Sequence, residues 1–281
     1  MSTKDIQVAN VRIAEVSIGA KQPPLLIAGP CVLEDIETAL SIGAFMAQAA
    51  GDYGFSYIFK ASFDKANRTS IRSYRGPGMF EGLEMLSSIK EKLNVPVISD
   101  IHTPDQAEAA ATVLDCIQIP AFLCRQTDIL RAAAQTHLPI NIKKGQFMSP
   151  WDMRHAVAKI KESGNDQVIL TERGTCFGYN NLVVDMRSLA IMREIGSPVV
   201  FDATHSIQLP GGGDGCSSGQ RQFVSTLARA AMAAGVDGIF MEVHPNPDKA
   251  LCDGPNSLSL EAAADLLKVL SRIRQAVDYN L

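Results

Sequence analysis

The sequence predicts an α/β fold, a single (β/α)8 TIM barrel closed at its amino-terminal end by a β-hairpin, on three observations. Eight short apolar runs recur along the 281 residues, each leads into a polar or metal-capable residue, and helix-forming sequence separates one run from the next. Eight strand-and-helix units need roughly 250 residues, which this chain supplies. No linker or composition shift divides it, so residues 1–281 are expected to fold as one domain.

The elements follow in order. IQVANVRIAEVSIG, about residues 5–18, alternates apolar and polar side chains at period 2, which predicts the hairpin, with its turn near Ala9 and Asn10. The first barrel run, LLIAGP, leads to Cys31, and the segment 34–54 then carries apolar residues at helical spacing and ends at glycine. The later runs are YIFK to Lys60, VPVISD to Asp100, DCIQIP with Gln118 and Pro120, PINIK to Lys143, VILTER to Arg173, PVVFDATH with Asp202 and His205, and GIFMEVH with Glu242 and His244. Comparable helical segments follow each of them; Thr103 and Pro104 are expected to cap the third helix. Two connections exceed simple turns, residues 61–79 after the second strand and residues 206–220 after the seventh. Loops of that length at a barrel's catalytic end bind substrate or close over it, and the glycines of the second suit a lid.

A formal net charge of -4 excludes a broad nucleic-acid surface, yet Lys60, Lys65, Arg68, Arg72 and Arg75 fall within 16 residues. That local positive charge fits a small anionic ligand. No apolar run approaches the roughly 18 residues of a membrane span, and the amino terminus lacks a signal-peptide h-region, so a cytoplasmic protein is expected. The six cysteines (31, 116, 124, 176, 216 and 252) show no CxxC spacing; most read as buried fillers, with Cys31 the exception.

In a barrel the carboxyl ends of the strands form the active-site rim, so these run-ending residues converge there. In the loop after the second strand, Lys60, Lys65 and Arg68 alternate with Ser62, Asn67 and Thr69, a set of charged and neutral donors suited to phosphate and carboxylate oxygens. Lys143 and Arg173 need anionic partners, either a ligand or a structural carboxylate such as Glu172 or Asp185. Cys31, His205, Glu242 and Asp253 have the chemistry of a divalent transition-metal site, zinc, iron or manganese. The spacing leaves a buried cysteine beside a satisfied histidine as the alternative, with His244 and His102 as competing imidazoles and His137 and His155 on the surface.

The strings FKASFDKANRTSIRSYRGPG, DCIQIPAFLCRQTD, NIKKGQF, RGTCFGYNNLVVDM, FDATHSIQLPGG and EVHPNPDKALCDGPNSL resemble the 3-deoxy-D-manno-octulosonate 8-phosphate synthases, over about residues 25 to 260. The resemblance implies condensation of phosphoenolpyruvate with D-arabinose 5-phosphate, with release of phosphate, in Kdo biosynthesis for lipopolysaccharide, by a homotetramer. It implies the metal-dependent class, which has cysteine at the position of Cys31 where the other class has asparagine, and one divalent ion per subunit on Cys31, His205, Glu242 and Asp253. It places Lys60, Lys143 and Arg173 at the phosphoenolpyruvate phosphate, and Ser62, Lys65 and Gln118 near its carboxylate. Asn67, Arg68 and Thr69 fall to the pentose phosphate, with Asp100 and Pro120 in the substrate site, and Arg125 reaches a neighbouring subunit's sugar. Cys176 receives no role.

For the chemistry, Asp253 or His205 is expected to take a proton from water, and Lys143 or His102 to donate one to the aldehyde oxygen. The rival readings are a 3-deoxy-D-arabino-heptulosonate 7-phosphate synthase, a metal-dependent class II aldolase and a catalytically silent phosphosugar-binding barrel; KANR favours the pentose enzyme.

Overall fold

The structure is a computed structural model and describes residues 8–212 and 218–278. Its centre is a closed barrel of eight parallel strands: β1 (Leu25–Gly29), β2 (Ser56–Lys60), β3 (Val97–Asp100), β4 (Cys116–Ile119), β5 (Ile140–Lys143), β6 (Val168–Glu172), β7 (Val199–Asp202) and β8 (Gly238–Glu242). Each strand pairs with the next in chain order, and β8 returns to β1. Eight helices surround it: α1 (Ile36–Asp52), α2 (Met79–Leu93), α3 (Gln106–Ala111), α4 (Thr127–Gln135), α5 (Met153–Glu162), α6 (Arg187–Arg193), α7 (Val224–Ala233) and α8 (Leu260–Asp278). The expected (β/α)8 architecture is present.

Strand periodicity divides the core in two. One set of side chains, among them Leu26, Phe59, Ile117, Ile142, Leu170 and Phe201, packs outward under the helices. The other set, Leu25, Ile27, Ile58, Ile98, Cys116, Ile169, Val200 and Phe240, fills the barrel with Val11, Ile13 and Ile18 of the hairpin. The hairpin pairs Val11–Ile13 with Val16–Ile18 and is the plug predicted for the amino-terminal end. Its turn lies at Ala14 and Glu15, not at Ala9 and Asn10, because Ala14 takes the left-handed conformation at φ 49°. Residues 5–7 of the expected hairpin lie outside the described residues.

Local signals set the helix ends. The Asp35 side chain accepts from the Thr38 backbone N–H at 2.7 Å and starts α1. The third helix begins later than expected: Asp105 is its N-cap residue, and Thr103 and Pro104 form the preceding turn, with the Thr103 carbonyl accepting from Gln106. Two small antiparallel pairs brace the catalytic-end loops, Thr175–Cys176 with Leu182–Val183 and Gln208–Leu209 with Ser218–Gly219. The centre of the glycine-rich connection, residues 213–217 with Cys216, lies outside the described residues.

Gly29 ends β1 where no larger residue fits, since a Cβ there would stand 2.0 Å from the Lys60 carbonyl oxygen. The obstacle is backbone, so β2 itself would have to shift. Gly29→Ala is expected to lower stability by about 3 kcal/mol, read by urea denaturation.

Candidate active site

Inward positions change character along the barrel axis. Apolar residues fill its amino-terminal half, while Lys60, Asp100, Gln118, Lys143, Asp202 and Glu242 stand at or next to the carboxyl ends of their strands. These residues are buried, so each charge must find a partner.

Two ion pairs provide most of that. Lys60 Nζ donates to Glu242 Oε1 at 3.0 Å and to the Cys31 carbonyl at 3.2 Å, with the pair 1% and 0% exposed. Lys143 Nζ lies 2.5 Å from Asp202 Oδ2, and the same oxygen lies 2.7 Å from His205 Nδ1. Burial holds Lys143 below its ordinary pKa even beside Asp202. For His205 burial also disfavours charge, yet the Asp202 carboxylate prevails and raises the imidazole to about 10. Asp202 therefore neutralises a lysine and orients an imidazole at once.

The sequence-proposed metal ligands converge. Donor atoms of Cys31, His205 and Asp253 all lie within 4.8 Å of one another. Cys31 Sγ is 3.2 Å from Asp253 Oδ2, and His205 Nε2 is 3.5 Å from Asp253 Oδ2 and 3.7 Å from Glu242 Oε1. The other Glu242 oxygen, Oε2, is buried without a hydrogen-bond partner. Burial, the Cys252 thiol and the Asp253 charge raise the Cys31 pKa, so a thiolate here needs a cation. Two acids, an imidazole and a thiol crowded around an unsatisfied oxygen fit a divalent ion. The His205–Asp202 contact is the carboxylate support that metal-bound histidines usually have.

Beside this cluster opens a cavity of about 590 Å³, lined by Lys65, Asn67, Arg68 and Thr69 of the β2 loop and by Asp100, His102, Gln118, Pro120, Lys143, Arg173, His205 and Asp253. That volume suits small ligands. Several polar atoms in its wall are unspent: Arg173 Nη1, Arg68 Nε and His102 Nδ1 are buried without partners. His102 Nε2 contacts Asp100 Oδ2 at 3.0 Å, and His102 with the Lys65 and Lys60 charges keeps Asp100 ionised against burial, its pKa well below the usual range.

Other proposed residues stand apart from the cavity. Ser62 is buried behind the wall and donates to Asp100. Arg125 is exposed outside the cavity, and its carbonyl accepts from Lys159. His244 is turned toward Glu34, 3.7 Å away, so it does not compete for the ligand cluster. The structural carboxylates considered for Lys143 and Arg173 are engaged otherwise. Lys143 takes Asp202, and the Arg173 guanidinium donates to Gln208. Glu172 accepts from the backbone N–H groups of Arg173 and Gly174 and lies 3.3 Å from Lys144, while Asp185 pairs with Arg187.

Three features escaped the sequence reading. Asp202 was visible as a strand end, but its double contact was not. Lys144, to which that reading assigned no role, is fully buried and donates to Thr175 Oγ1 at 2.9 Å, tying the β5 and β6 loops together. Cys252, taken for a filler, has its sulfur 3.2 Å from Cys31 Sγ and 2.8 Å from Arg68 Nη1. Its position next to Asp253 was the available signal.

Comparison with known proteins agrees with this geometry. The model of the DAHP synthetase I family matches residues 5–278. A 2-dehydro-3-deoxyphosphooctonate aldolase of Desulfotalea psychrophila is 58% identical, covering 97% of this chain and 98% of its own. Proteins of the same description from Syntrophotalea carbinolica and Geobacter sulfurreducens are 57% and 58% identical, covering 96% and 94% of this chain and 98% and 97% of theirs. Similarity of this extent, over the barrel and every rim strand, makes the chain a member of the DAHP synthetase I family.

Proposed function

We infer that the chain condenses phosphoenolpyruvate with D-arabinose 5-phosphate and water, giving 3-deoxy-D-manno-octulosonate 8-phosphate and inorganic phosphate for Kdo and lipopolysaccharide synthesis. The observation that carries this reading is one cavity wall in which Lys143, Arg173 and the Lys65–Thr69 segment face a thiol–imidazole–carboxylate cluster. The relatives named 2-dehydro-3-deoxyphosphooctonate aldolase support the octulosonate product over the heptulosonate alternative.

In this reading Lys60, Lys143 and Arg173 hold the phosphoenolpyruvate phosphate, and Lys65 and Gln118 face its carboxylate. Ser62 acts from behind the wall through Asp100, which together with Pro120 shapes the pocket. Asn67, Arg68 and Thr69 take the pentose phosphate, and Arg125 serves a neighbouring subunit's sugar. Holding both anions so that C3 of the enol lies against the aldehyde carbon supplies the orientational part of catalysis, on the order of 7 to 11 kcal/mol. C3 forms the new bond to the aldehyde carbon. His102, whose Nδ1 has no partner in the wall, donates a proton to the resulting alkoxide. Water adds at C2, one of its protons passing to Asp253, and cleavage of the bond between C2 and the bridging oxygen leaves the C2 ketone and expels phosphate, which carries away the second proton.

Cys31, His205, Glu242 and Asp253 would hold one divalent ion, zinc, iron or manganese, which when bound polarises and orients the sugar oxygen. His205 serves as its ligand, with Nδ1 held by Asp202. The enzyme works as a homotetramer in the cytoplasm. Exposed aromatics in the segments after β4, β5 and β6, namely Phe122, Phe147, Trp151, Phe177 and Tyr179, support self-association.

The test is phosphate release from phosphoenolpyruvate with arabinose 5-phosphate or erythrose 4-phosphate, before and after a strong chelator. Turnover restricted to the pentose, lost on chelation and restored by a divalent ion, is expected; turnover restricted to the tetrose contradicts the reading. Cys31→Asn is expected to keep part of the activity and to resist chelation. Complete inactivity of a folded Cys31→Asn protein would refute a purely orienting role for the ion.

A further inference from the structure

We propose that Phe240 is a positioning residue of this site, its ring face being the support on which the Lys143 ammonium is held for the phosphoenolpyruvate phosphate. The proposal rests on the assignment of Lys143 to that phosphate.

Alternation along β8 turns Gly238, Phe240 and Glu242 inward in turn. At Gly238 a Cβ would lie 2.7 Å from the Leu25 carbonyl, so the bottom of this column must be empty. At its top stands Glu242. Between them the fully buried Phe240 ring meets three groups of the site above. Lys143 Nζ lies 3.6 Å from the ring centroid, Lys60 Nζ 5.4 Å, and the His205 ring centroid 5.7 Å with its plane tilted by 53°.

The Lys143 contact is the decisive one. At 3.6 Å over the centroid the buried ammonium faces the negative side of the aromatic quadrupole, and such contacts strengthen as the cation is desolvated. Asp202, on the β7 strand that pairs with Phe240's β8, holds the same ammonium at 2.5 Å, and His205 Nδ1 lies 3.5 Å away. Asp202 fixes the side toward which Lys143 leans, and the ring fixes its height in the barrel. Without an aromatic face, the ammonium has one strong partner and follows it out of line with Arg173 and Lys60. An aliphatic residue fills the space but supplies no attraction for a cation.

Phe240→Leu separates these roles, with Phe201→Leu as the packing control, because Phe201 is an equally buried phenylalanine under the helices on the neighbouring β7. Both variants are expected to lose similar stability. Phe240→Leu alone is expected to weaken phosphoenolpyruvate binding to the metal-free protein, measured by calorimetry, by about tenfold, and to raise KM for phosphoenolpyruvate more than it lowers kcat. Site-specific incorporation of mono-, di- and trifluorophenylalanine at position 240 removes the negative ring face at nearly constant size, and binding is expected to weaken stepwise with each fluorine. Unchanged or tighter binding across that series overturns the proposal while wild-type binding stands. Failure of the wild-type protein to bind phosphoenolpyruvate overturns the assignment of Lys143 as well.

Discussion

Asp202→Asn is expected to cut kcat by about 100-fold at saturating metal and to weaken metal binding by about 10- to 100-fold. The carboxylate is fully buried, with one oxygen 2.5 Å from Lys143 and 2.7 Å from His205 Nδ1 and the other accepting the His205 backbone N–H at 2.8 Å. Asparagine keeps the shape and most of the hydrogen bonds but deletes the charge. The Lys143 ammonium and the His205 ring, 3.5 Å apart, then share no anion, and the imidazole loses the acceptor that fixes its Nδ1–H. Two groups with different proposed tasks, Lys143 on the phosphate and His205 on the ion, fail together, so the loss exceeds what either contact predicts alone. Metal titration and steady-state kinetics on the same preparation separate the two effects; metal affinity and kcat both within threefold of wild type would remove Asp202 from the machinery.

Lys60→Met is expected to produce the second large effect, and its size depends on the ion. Lys60 is the cation paired with the fully buried Glu242, whose Oε2 already lacks a partner. Removing one member of a buried pair costs about 3 to 5 kcal/mol, because the other charge is left in a low-dielectric site. Metal-free Lys60→Met is therefore expected to unfold at markedly lower urea than wild type. Saturating divalent ion is expected to return a large part of that stability, since it offers Glu242 a replacement positive charge, while affinity for phosphoenolpyruvate stays low. Equal stabilisation of the variant and wild type by the ion would contradict a shared role of Lys60 and the ion at Glu242.

The barrel was legible because its signal is repeated: eight apolar runs ending in polar residues leave few other folds. The plug was legible from period-2 alternation, but its turn was not. Ala14 carries no turn signature, and its left-handed backbone is imposed by the pairing of Val11 with Ile18 around it. Rim residues could be named one at a time, since side chains alternate along each strand. Their partners could not, because Asp202 meets Lys143 across 59 residues and Lys60 meets Glu242 across 182. Lys144 was passed over and Cys252 misjudged for a related reason: local sequence shows a doubled lysine and a cysteine after leucine, and only the closed barrel buries one and sets the other beside Cys31. Phe240 reads as ordinary core from its run, and the lysines above its ring are contributed by β2 and β5.

The central claim is that one rim binds the phosphoenolpyruvate anion and a divalent ion side by side. A crystal structure of the protein with manganese and phosphoenolpyruvate, with anomalous data collected at the metal edge, tests it directly. The expected result is a single anomalous peak bounded by Cys31, His205, Glu242 and Asp253, with the phosphate on Lys60, Lys143 and Arg173. A peak elsewhere, or phosphoenolpyruvate bound away from those three cations, would contradict the account.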